Sequence, residues 1–530
     1  MDLGLDFGTT HTVVAYADRG NYPVVSFLDE HGDARDHFPS VVADDGGTLV
    51  YGFAALEAAR RGMPSARSFK RLLAEPGITP ATLMRLGDRE VPLFDVLTGF
   101  FAAVLDALRS ASSIEGRLDG AAPARAMVGA PAQANSAQRF LTLEACRRAG
   151  FDVAGLVNEP SAASFEFAHR QARSITSRRD LVIVYDLGGG TFDASLLQLS
   201  GTRHEVLDSF GVNRLGGEDF DKELAAAALR VAGRSGTELS EASWASLLEE
   251  CREAKERIGP QSRRVAVEVP AADDEPSTAV TVPVDDFYAA VTPLVAATTE
   301  AMDPLVQSLR SPEGDGDDLQ GVAGIYIVGG ASGLPLVPRL LRSRFGRRVH
   351  RSPMPSASTA VGLAIAADPD AGFSLHDRLS RGFGVFRERE GGAAVSFDPV
   401  LDRSLMTADA LGEPASAEPV VVTRRYRAAH NIGWFRFVEY SSVDDQGEPR
   451  GDLAPVAQIV FPFDPELQRN HRLSGSGTPV ESSLARGLPI VRLESGPLLE
   501  ERYTVDPAGI IELSLTDLTT GYRQEHVLHV

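Results

Sequence analysis

The sequence predicts an α/β domain built of two related lobes, followed by a smaller all-β domain. Three observations carry that prediction. Up to about Asp368, short β-branched runs alternate with longer Ala/Leu/Arg-rich stretches, the pattern of layered α/β folds. Leu3–Val13 (LGLDFGTTHTV) and Val184–Ser195 (VYDLGGGTFDAS), roughly 180 residues apart, repeat one design: an apolar strand, an aspartate, a Gly/Thr-rich turn and a resumed strand. After Asp368-Pro369-Asp370-Ala371-Gly372 the helical period fades, and apolar runs separated by Gly, Pro and Asp take over.

Each part follows in chain order. Residues 1–368 form the α/β domain, with the first lobe over about 1–180 and the second over about 181–368. Leu181–Tyr185 and Ile325–Val328 read as strands, Pro92–Ser110 and Ser136–Ala149 as helices. Ser311–Gly321 (SPEGDGDDLQG) is acidic and glycine-rich, a solvated loop. Residues 369–378 are a linker. In 379–530, Val420–Tyr426, Trp434–Tyr440, Ala457–Phe463, Pro489–Leu493 and Ile510–Leu515 read as strands, with no terminal helix. Trp434, Phe435 and Phe437 read as core, and Arg424, Arg425 and Arg427 as a solvated strand face. His526 and His529, three apart on a strand, fall on opposite faces and make no metal pair.

Composition sets the limits. Of 530 residues, 43% are hydrophobic and 24% charged, which excludes wholesale disorder. A net charge of −21 repels phosphate backbones and anionic lipid, so no nucleic-acid or membrane partner is expected. The basic cluster Arg342, Arg344, Arg347, Arg348 and Arg351 reads as a solvated helix end. Cys146 and Cys251 stand in unrelated contexts and read as packed thiols of a reducing compartment. The N-terminus lacks the basic and apolar signature of a secretion signal, and no apolar run reaches the roughly 18 residues of a membrane span. A cytoplasmic location is the expectation.

The two echoed turns carry the chemistry. Gly and Thr after a strand allow close backbone approach, and successive amides can then cradle phosphate oxygens. Thr9, Thr10 and Thr191 add hydroxyl donors. Asp6, Asp186 and Asp193 would repel bare phosphate, but they make sense if Mg²⁺ sits between, held through its waters. No G-x-x-x-x-G-K-[ST] occurs, so this is not a P-loop.

Several motifs then fall in one order: LDFGTTHT (Leu5–Thr12), SFKRLL (Ser68–Leu73), NEPSAAS (Asn158–Ser164), DLGGGTFD (Asp186–Asp193), LGGEDFD (Leu215–Asp221) and IVGG (Ile327–Gly330). Together they resemble the seventy-kilodalton heat-shock chaperone family (DnaK-like), within the superfamily of actin, hexokinase and the chaperones. The resemblance implies a two-lobed actin-like, duplicated ribonuclease H-like ATPase domain and a peptide-binding β-sandwich. It implies ATP or ADP with Mg²⁺ as cofactors and a slow ATPase. Lys70 would stand by the γ-phosphate, with Glu159, Asp186, Asp193 and Thr191 organising the attacking water and the metal, and with Asp6 a further metal carboxylate. Gly8, Thr9, Thr10, Gly188, Gly189, Gly190, Gly216, Gly217, Glu218, Lys255, Gly329 and Gly330 would hold the nucleotide. Pro131 and Arg139 (in APAQANSAQR) match the proline switch and arginine that report nucleotide state. Unfolded or extended polypeptides would be the clients, and a J-domain co-chaperone and a nucleotide exchange factor the partners. LSRGFGV (Leu379–Val385) and Glu501–Val530 match opening and closing strands of the sandwich, where an extended peptide is held partly by main-chain hydrogen bonds.

The sequence also departs from that family. Arg252 replaces a ribose-binding glutamate, Glu256 and Gly333 stand at clamp-arginine positions, and Ser356 replaces an aspartate. Stacking on a base is worth roughly 1–3 kcal/mol, so adenosine affinity should fall by about ten- to a hundredfold, with relaxed base selectivity. Polar residues interrupt the linker (GFSLHDRL, Gly372–Leu379), Gly155 replaces the arginine that meets the J-domain, and Arg381 replaces an apolar residue of the first substrate loop. No helical lid is expected, which predicts fast peptide release. A nucleotide-held binding switch with little turnover and one dedicated partner is the alternative, and a small-molecule kinase of the same superfamily a minor one.

Overall fold

The computed structural model describes residues 1–118, 122–234, 239–270, 277–309, 319, 321–379, 381–390, 394–403, 405, 419–444, 446–473 and 490–528. The chain divides into two compact units. The first comprises Met1–Leu72, Leu83–Gln133 and Ala145–Leu375; the second comprises Leu73–Thr82, Ala134–Glu144 and His376–Val530.

The first unit is one motif used twice. Its first sheet contains β1 (Asp2–Phe7), β2 (His11–Tyr16), β3 (Phe38–Pro39), β4 (Ala124–Ala130) and β5 (Phe151–Asn158). The chain between β4 and β5 forms helix α1 (Ser136–Arg148), of which Ser136–Glu144 belongs to the second unit, and α2 (Glu159–Gln171) follows β5. The strand order is β5-β4-β1-β2-β3. The second sheet contains β6 (Leu181–Leu187), β7 (Phe192–Ser200) and β8 (Arg203–Val212). After helices α3 (Gly217–Ala232) and α4 (Glu241–Glu256) come β9 (Val322–Val328), α5 (Leu336–Phe345), β10 (Val349–Arg351), α6 (Ser358–Ala367) and β11 (Ser374–His376). Its order is β10-β9-β6-β7-β8-β11. In both sheets a strand pairs antiparallel with the next one (β1–β2, β6–β7) and parallel with a later crossover strand (β1–β4, β6–β9). The echoed turns of the sequence are the β1–β2 and β6–β7 hairpins, so the internal repeat is a duplicated fold.

Burial explains the strands. Leu3, Leu5 and Phe7 of β1 and Ile183, Tyr185 and Leu187 of β6 are fully buried. Phe7 meets Phe101 edge-on at 5.0 Å between ring centres, and Phe69 and Phe100 complete that aromatic core. In the second half the buried Tyr185 hydroxyl shares a 2.6 Å hydrogen bond with Thr298. The halves join where α2 and α6 cross. A Cβ placed on Gly362 would lie 1.8 Å from the Ala162 carbonyl oxygen, so only glycine permits this approach. Leu181–Tyr185, Ile325–Val328, Pro92–Ser110 and Ser136–Ala149 all fall on elements of the expected type, apart from Pro92, which precedes its helix, and Ala149, which follows α1. Within the segment expected as linker, Ser374–His376 is a short strand, and the Ser374 amide donates to the Thr202 carbonyl at 3.0 Å. Ser311–Gly321 lies almost wholly outside the described residues.

In the second unit, β12 (Gly382–Arg389), β13 (Ala394–Leu401), β15 (Ile432–Val443) and β16 (Pro449–Pro462) form one antiparallel sheet, ordered β13-β12-β15-β16. The other contains β14 (Val420–Arg427), β17 (Leu498–Val505), β18 (Ile511–Asp517) and β19 (Arg523–Leu528), ordered β14-β17-β18-β19. Phe383, Phe437, Tyr503 and Leu515 belong to one buried cluster drawn from both sheets. Phe435 and Phe437 are core as expected, and Trp434 is partly buried. Two expectations fail here. Of Pro489–Leu493, the described residues form only an isolated bridge, Arg492 with His430. The unit also contains a helix, α7 (Pro465–Leu473), whose buried Gln468 donates to Asp517 at 2.8 Å. His529 lies outside the described residues; His526 hydrogen-bonds Gln524. Arg381 is buried against Asp452 at 2.9 Å, its guanidinium also facing Glu439, so a salt bridge replaces the apolar contact. Arg139 donates to the Ala508 carbonyl at 3.2 Å within this unit.

Candidate functional site

The first unit contains an open cleft, lined by both echoed turns and by charged side chains from both halves. The β1–β2 and β6–β7 turns form its floor, and their glycines let them interlock. A Cβ on Gly189 would lie 2.2 Å from the Thr10 hydroxyl, and one on Gly190 would lie 2.7 Å from the Thr9 hydroxyl. Any side chain there would drive the two hairpins apart. The turns are locally closed: Gly188 N–H bonds the Thr191 carbonyl at 3.0 Å, and the Ser40 hydroxyl donates to the Gly8 carbonyl at 2.8 Å.

Asp6, Gly8, Thr9, Thr10, Lys70, Glu159, Asp186, Gly188, Gly189, Thr191, Gly217, Lys255, Gly329 and Gly330 all line this cleft. Four expected residues stand behind the lining. Gly190 and Gly216 pack against the turns, where a Cβ on Gly216 would meet the Gly189 carbonyl at 2.5 Å. Glu218 faces Ser68 and Arg71. Asp193 is buried beneath the floor, held by the backbone amides of Gln133 and Ala132, the residues just after Pro131.

Lys70 stands among four acids, Asp6, Glu159, Asp186 and Asp193. Its ammonium meets Glu159 at 2.8 Å, with both side chains nearly buried, and lies 5.4 Å from the Phe7 ring centre. Burial opposes its charge, but Glu159 and Asp6 outweigh burial and hold its pKa above the ordinary lysine value. The acids respond in the opposite sense. Burial and then Glu159 push Asp6 and Asp186 well above the usual carboxylate range, and push Asp193 up to about 7. Asp193 Oδ1 is buried with no hydrogen-bond partner. A group with three carboxylates in excess and an orphaned carboxylate oxygen is matched to an additional cation. Among the described residues no three His, Cys, Asp or Glu side chains converge closely enough to chelate an ion directly.

At the other end, Lys255 is already engaged, with Asp221 at 2.6 Å and the Gly217 carbonyl at 2.8 Å. Arg252 lines the cleft while paired to Glu249. Glu256 and Ser356 also line it, whereas Gly333 stands outside the lining, where a Cβ would lie 3.6 Å from the Arg351 guanidinium. The sequence reading missed three contributors. His11, inside the first motif, is partly buried, its ring tilted against that of His37 with 3.8 Å between ring centres; desolvation, then His37, Arg252, Arg67 and Lys255 hold it well below the ordinary histidine pKa. Asp221 ends the LGGEDFD motif, and burial raises its pKa to about 6 although Lys255 opposes the rise. Arg71 adjoins Lys70 and reaches the Gly190 carbonyl. Each lay within or beside a quoted motif, but only the fold shows what it touches.

Among the described residues, no helix is long and apolar enough to cross a membrane. A family model described as "Hsp70 protein" matches residues 100–379. The chain is 32% identical over 391 residues to a "Chaperone protein HscA homolog" of Pseudomonas putida, covering 70% of this chain and 58% of that one. It is 33% identical over 387 residues to the proteins of the same description from Burkholderia pseudomallei and Burkholderia mallei, covering 70% of this chain and 59% of theirs. The match thus spans less than two thirds of these relatives' own length.

Proposed function

The chain belongs to the Hsp70 family, and from that premise we propose that it is a Mg²⁺-dependent ATPase whose nucleotide state governs binding of extended polypeptide by the β unit. One observation carries the reading: two interlocked Gly/Thr hairpins stand beside buried Lys70, which lies among Asp6, Glu159, Asp186 and Asp193. The hairpin amides and the hydroxyls of Thr9, Thr10 and Thr191 suit the oxygens of a polyphosphate. Asp6, Asp186 and Asp193 would hold Mg²⁺ through its waters, and the ion would neutralise phosphate charge. Glu159 keeps Lys70 protonated and aimed at the hairpin floor, and with Lys70 it orients a water for attack; this asks of the protein mainly positioning and charge. Lys255, released from Asp221 or bridged to it, would meet the ribose.

In the second unit the two sheets would act as a β-sandwich holding an extended, unfolded client through main-chain hydrogen bonds. A J-domain co-chaperone and an exchange factor remain candidate partners by kinship, and Gly155 argues against the first. The altered far end of the cleft favours a second reading, a switch that ATP holds closed with little turnover: Arg252 is committed to Glu249 and Gly333 offers no side chain.

The deciding experiment measures ATP hydrolysis with Mg²⁺ for the wild type and Lys70→Ala, with and without an unfolded client. Turnover stimulated by client and abolished by the substitution is the expected result. Tight ATP binding without turnover in either protein would replace the ATPase with the switch. Transfer of phosphate to a small hydroxyl compound would restore the kinase reading.

A further inference from the structure

Lys70 sits in a short segment fastened to the six-stranded half of the first unit on both sides. Before it, the Arg67 guanidinium meets Glu249 of α4 at 2.7 Å, and Ser68, at a φ of 61°, hydrogen-bonds Glu218 at the start of α3. Phe69 anchors the segment in its own half, its ring 5.3 Å from Phe100 and 5.9 Å from Phe7. After it, Arg71 spreads its guanidinium over three acceptors: Glu218 at 2.9 Å, Asp219 at 2.9 Å and the Gly190 carbonyl at 2.9 Å. A planar five-donor fork can serve three acceptors at once, which an ammonium on a flexible stem cannot do with the same geometry.

The acceptors are not independent of the cleft. Asp219 also receives the Gly216 amide at 3.0 Å, and the amides of Gly217 and Glu218 bond the carbonyls of Gly188 and Gly189 at 3.0 and 2.8 Å. The start of α3 is therefore sewn to the second hairpin, and Arg71 grips both. Gripping the Gly190 carbonyl has a further effect. The peptide is trans, so the following amide of Thr191, a cleft-lining residue, must point away from Arg71.

We infer that Arg71 is a positioning residue that couples closure of the cleft to the seating of Lys70 and of the Thr191 amide. With the halves together, the fork fixes the Gly190–Thr191 peptide plane and clasps the far side of the lysine segment. When the six-stranded half withdraws, all three acceptors leave together, and both donors lose their aim. Arg67 and Ser68 make the same connection on the other side of Lys70, so the segment is held as a bridge rather than by one end. This coupling rests on the nucleotide reading above.

The test compares wild type, Arg71→Ala, Arg71→Lys and Glu218→Gln by release of a fluorescent ADP analogue and by single-turnover ATP hydrolysis, with thermal unfolding recorded for each. Arg71→Ala should release nucleotide about tenfold or more faster and hydrolyse roughly ten- to a hundredfold more slowly. Arg71→Lys and Glu218→Gln should fall between it and the wild type, and the double variant Arg71→Ala/Glu218→Gln should cost less than the two singles combined. If Arg71→Ala fails to fold, Arg71→Lys and Glu218→Gln carry the same prediction. Slower hydrolysis with unchanged release would overturn the coupling to closure. Nucleotide binding with both rates unchanged in every variant would overturn the positioning role and leave the nucleotide reading standing. A wild type that binds no nucleotide would overturn both.

Discussion

Lys70–Glu159 in the first unit and Arg387–Glu501 in the second are both buried pairs of a base and a glutamate, and their surroundings differ. Around Arg387–Glu501 every donor and acceptor is spoken for. The guanidinium meets Glu501 at 2.8 Å and Asp398 at 3.2 Å and lies over the rings of Tyr426 and Phe435, while the hydroxyls of Tyr426 and Tyr503 donate to the fully buried Glu501. Burial opposes the charge of Arg387, yet the bonds from Glu501 hold its pKa above the ordinary arginine value. Around Lys70–Glu159 three more carboxylates crowd in, and Asp193 keeps an oxygen unpartnered. A satisfied buried pair ties two sheets together, whereas a pair with surplus charge is a place prepared for something else.

That contrast can be broken or sharpened by experiment. The largest effect is expected at the satisfied pair. Arg387→Met should destabilise the β unit by about 3–5 kcal/mol, because Glu501 is left buried and uncompensated, and Arg387→Met/Glu501→Leu should recover most of the loss. Denaturant melts of the three proteins test this, and nucleotide affinity should not change. If the single and double variants melt alike, the pair is not acting as a unit.

At the surplus pair the expected effect is on rate. Lys70→Ala should slow single-turnover hydrolysis by roughly a hundred- to a thousandfold, the cost of removing one preorganised charge. Its melting temperature with Mg²⁺ and nucleotide should stay near the wild-type value, in contrast to Arg387→Met.

A third measurement uses proton linkage. Asp193 titrates near pH 7 when folded, against 3.8 as its ordinary value, so between these pH values the unfolded chain loses the proton and the folded one retains it. Metal-free protein should therefore lose stability as pH rises from about 4 to 7, by a few kcal/mol at most from this group, with Asp6 and Asp186, raised for the same reasons, adding to the fall. Asp193→Asn should make the slope shallower, leaving the part contributed by Asp6 and Asp186. A divalent cation with nucleotide should reduce it too. A flat profile in the wild type would remove the surplus-charge argument.

The smallest effect is expected at the hairpin contact. Gly189→Ala puts a methyl 2.2 Å from the Thr10 hydroxyl and should cost about 1–3 kcal/mol, the range for overpacking. Nucleotide affinity should fall with it, read by displacement of a fluorescent analogue.

Most of the cleft was legible in the sequence because its residues have no substitutes. A strand, an aspartate and two or three glycines in a row describe a turn that something must approach closely, and the echo of that pattern is the duplicated sheet. Partners made by folding were not legible. Arg71 and Asp219 are 148 positions apart, and Arg387 and Glu501 are 114 apart. No spacing rule links such residues. The β unit was read less well for a local reason. Pro489–Leu493 has the composition of a strand, but its described residues make a single bridge. Helix α7 was overlooked although its start is written in Asp464-Pro465-Glu466: the Asp464 side chain accepts the Glu466 amide at 2.7 Å, and proline follows it at the first helical position.

The crossing of α2 and α6 at Ala162 and Gly362 has one more consequence. Backbone touches backbone there, one helical turn along from Glu159 and Thr359, which line the cleft. The spacing of the two helices at that point therefore sets where the carboxylate of Glu159 stands in the cleft. A bulkier residue at 362 would act as a wedge between the helices, shifting Glu159 and Thr359 without itself lining the cleft.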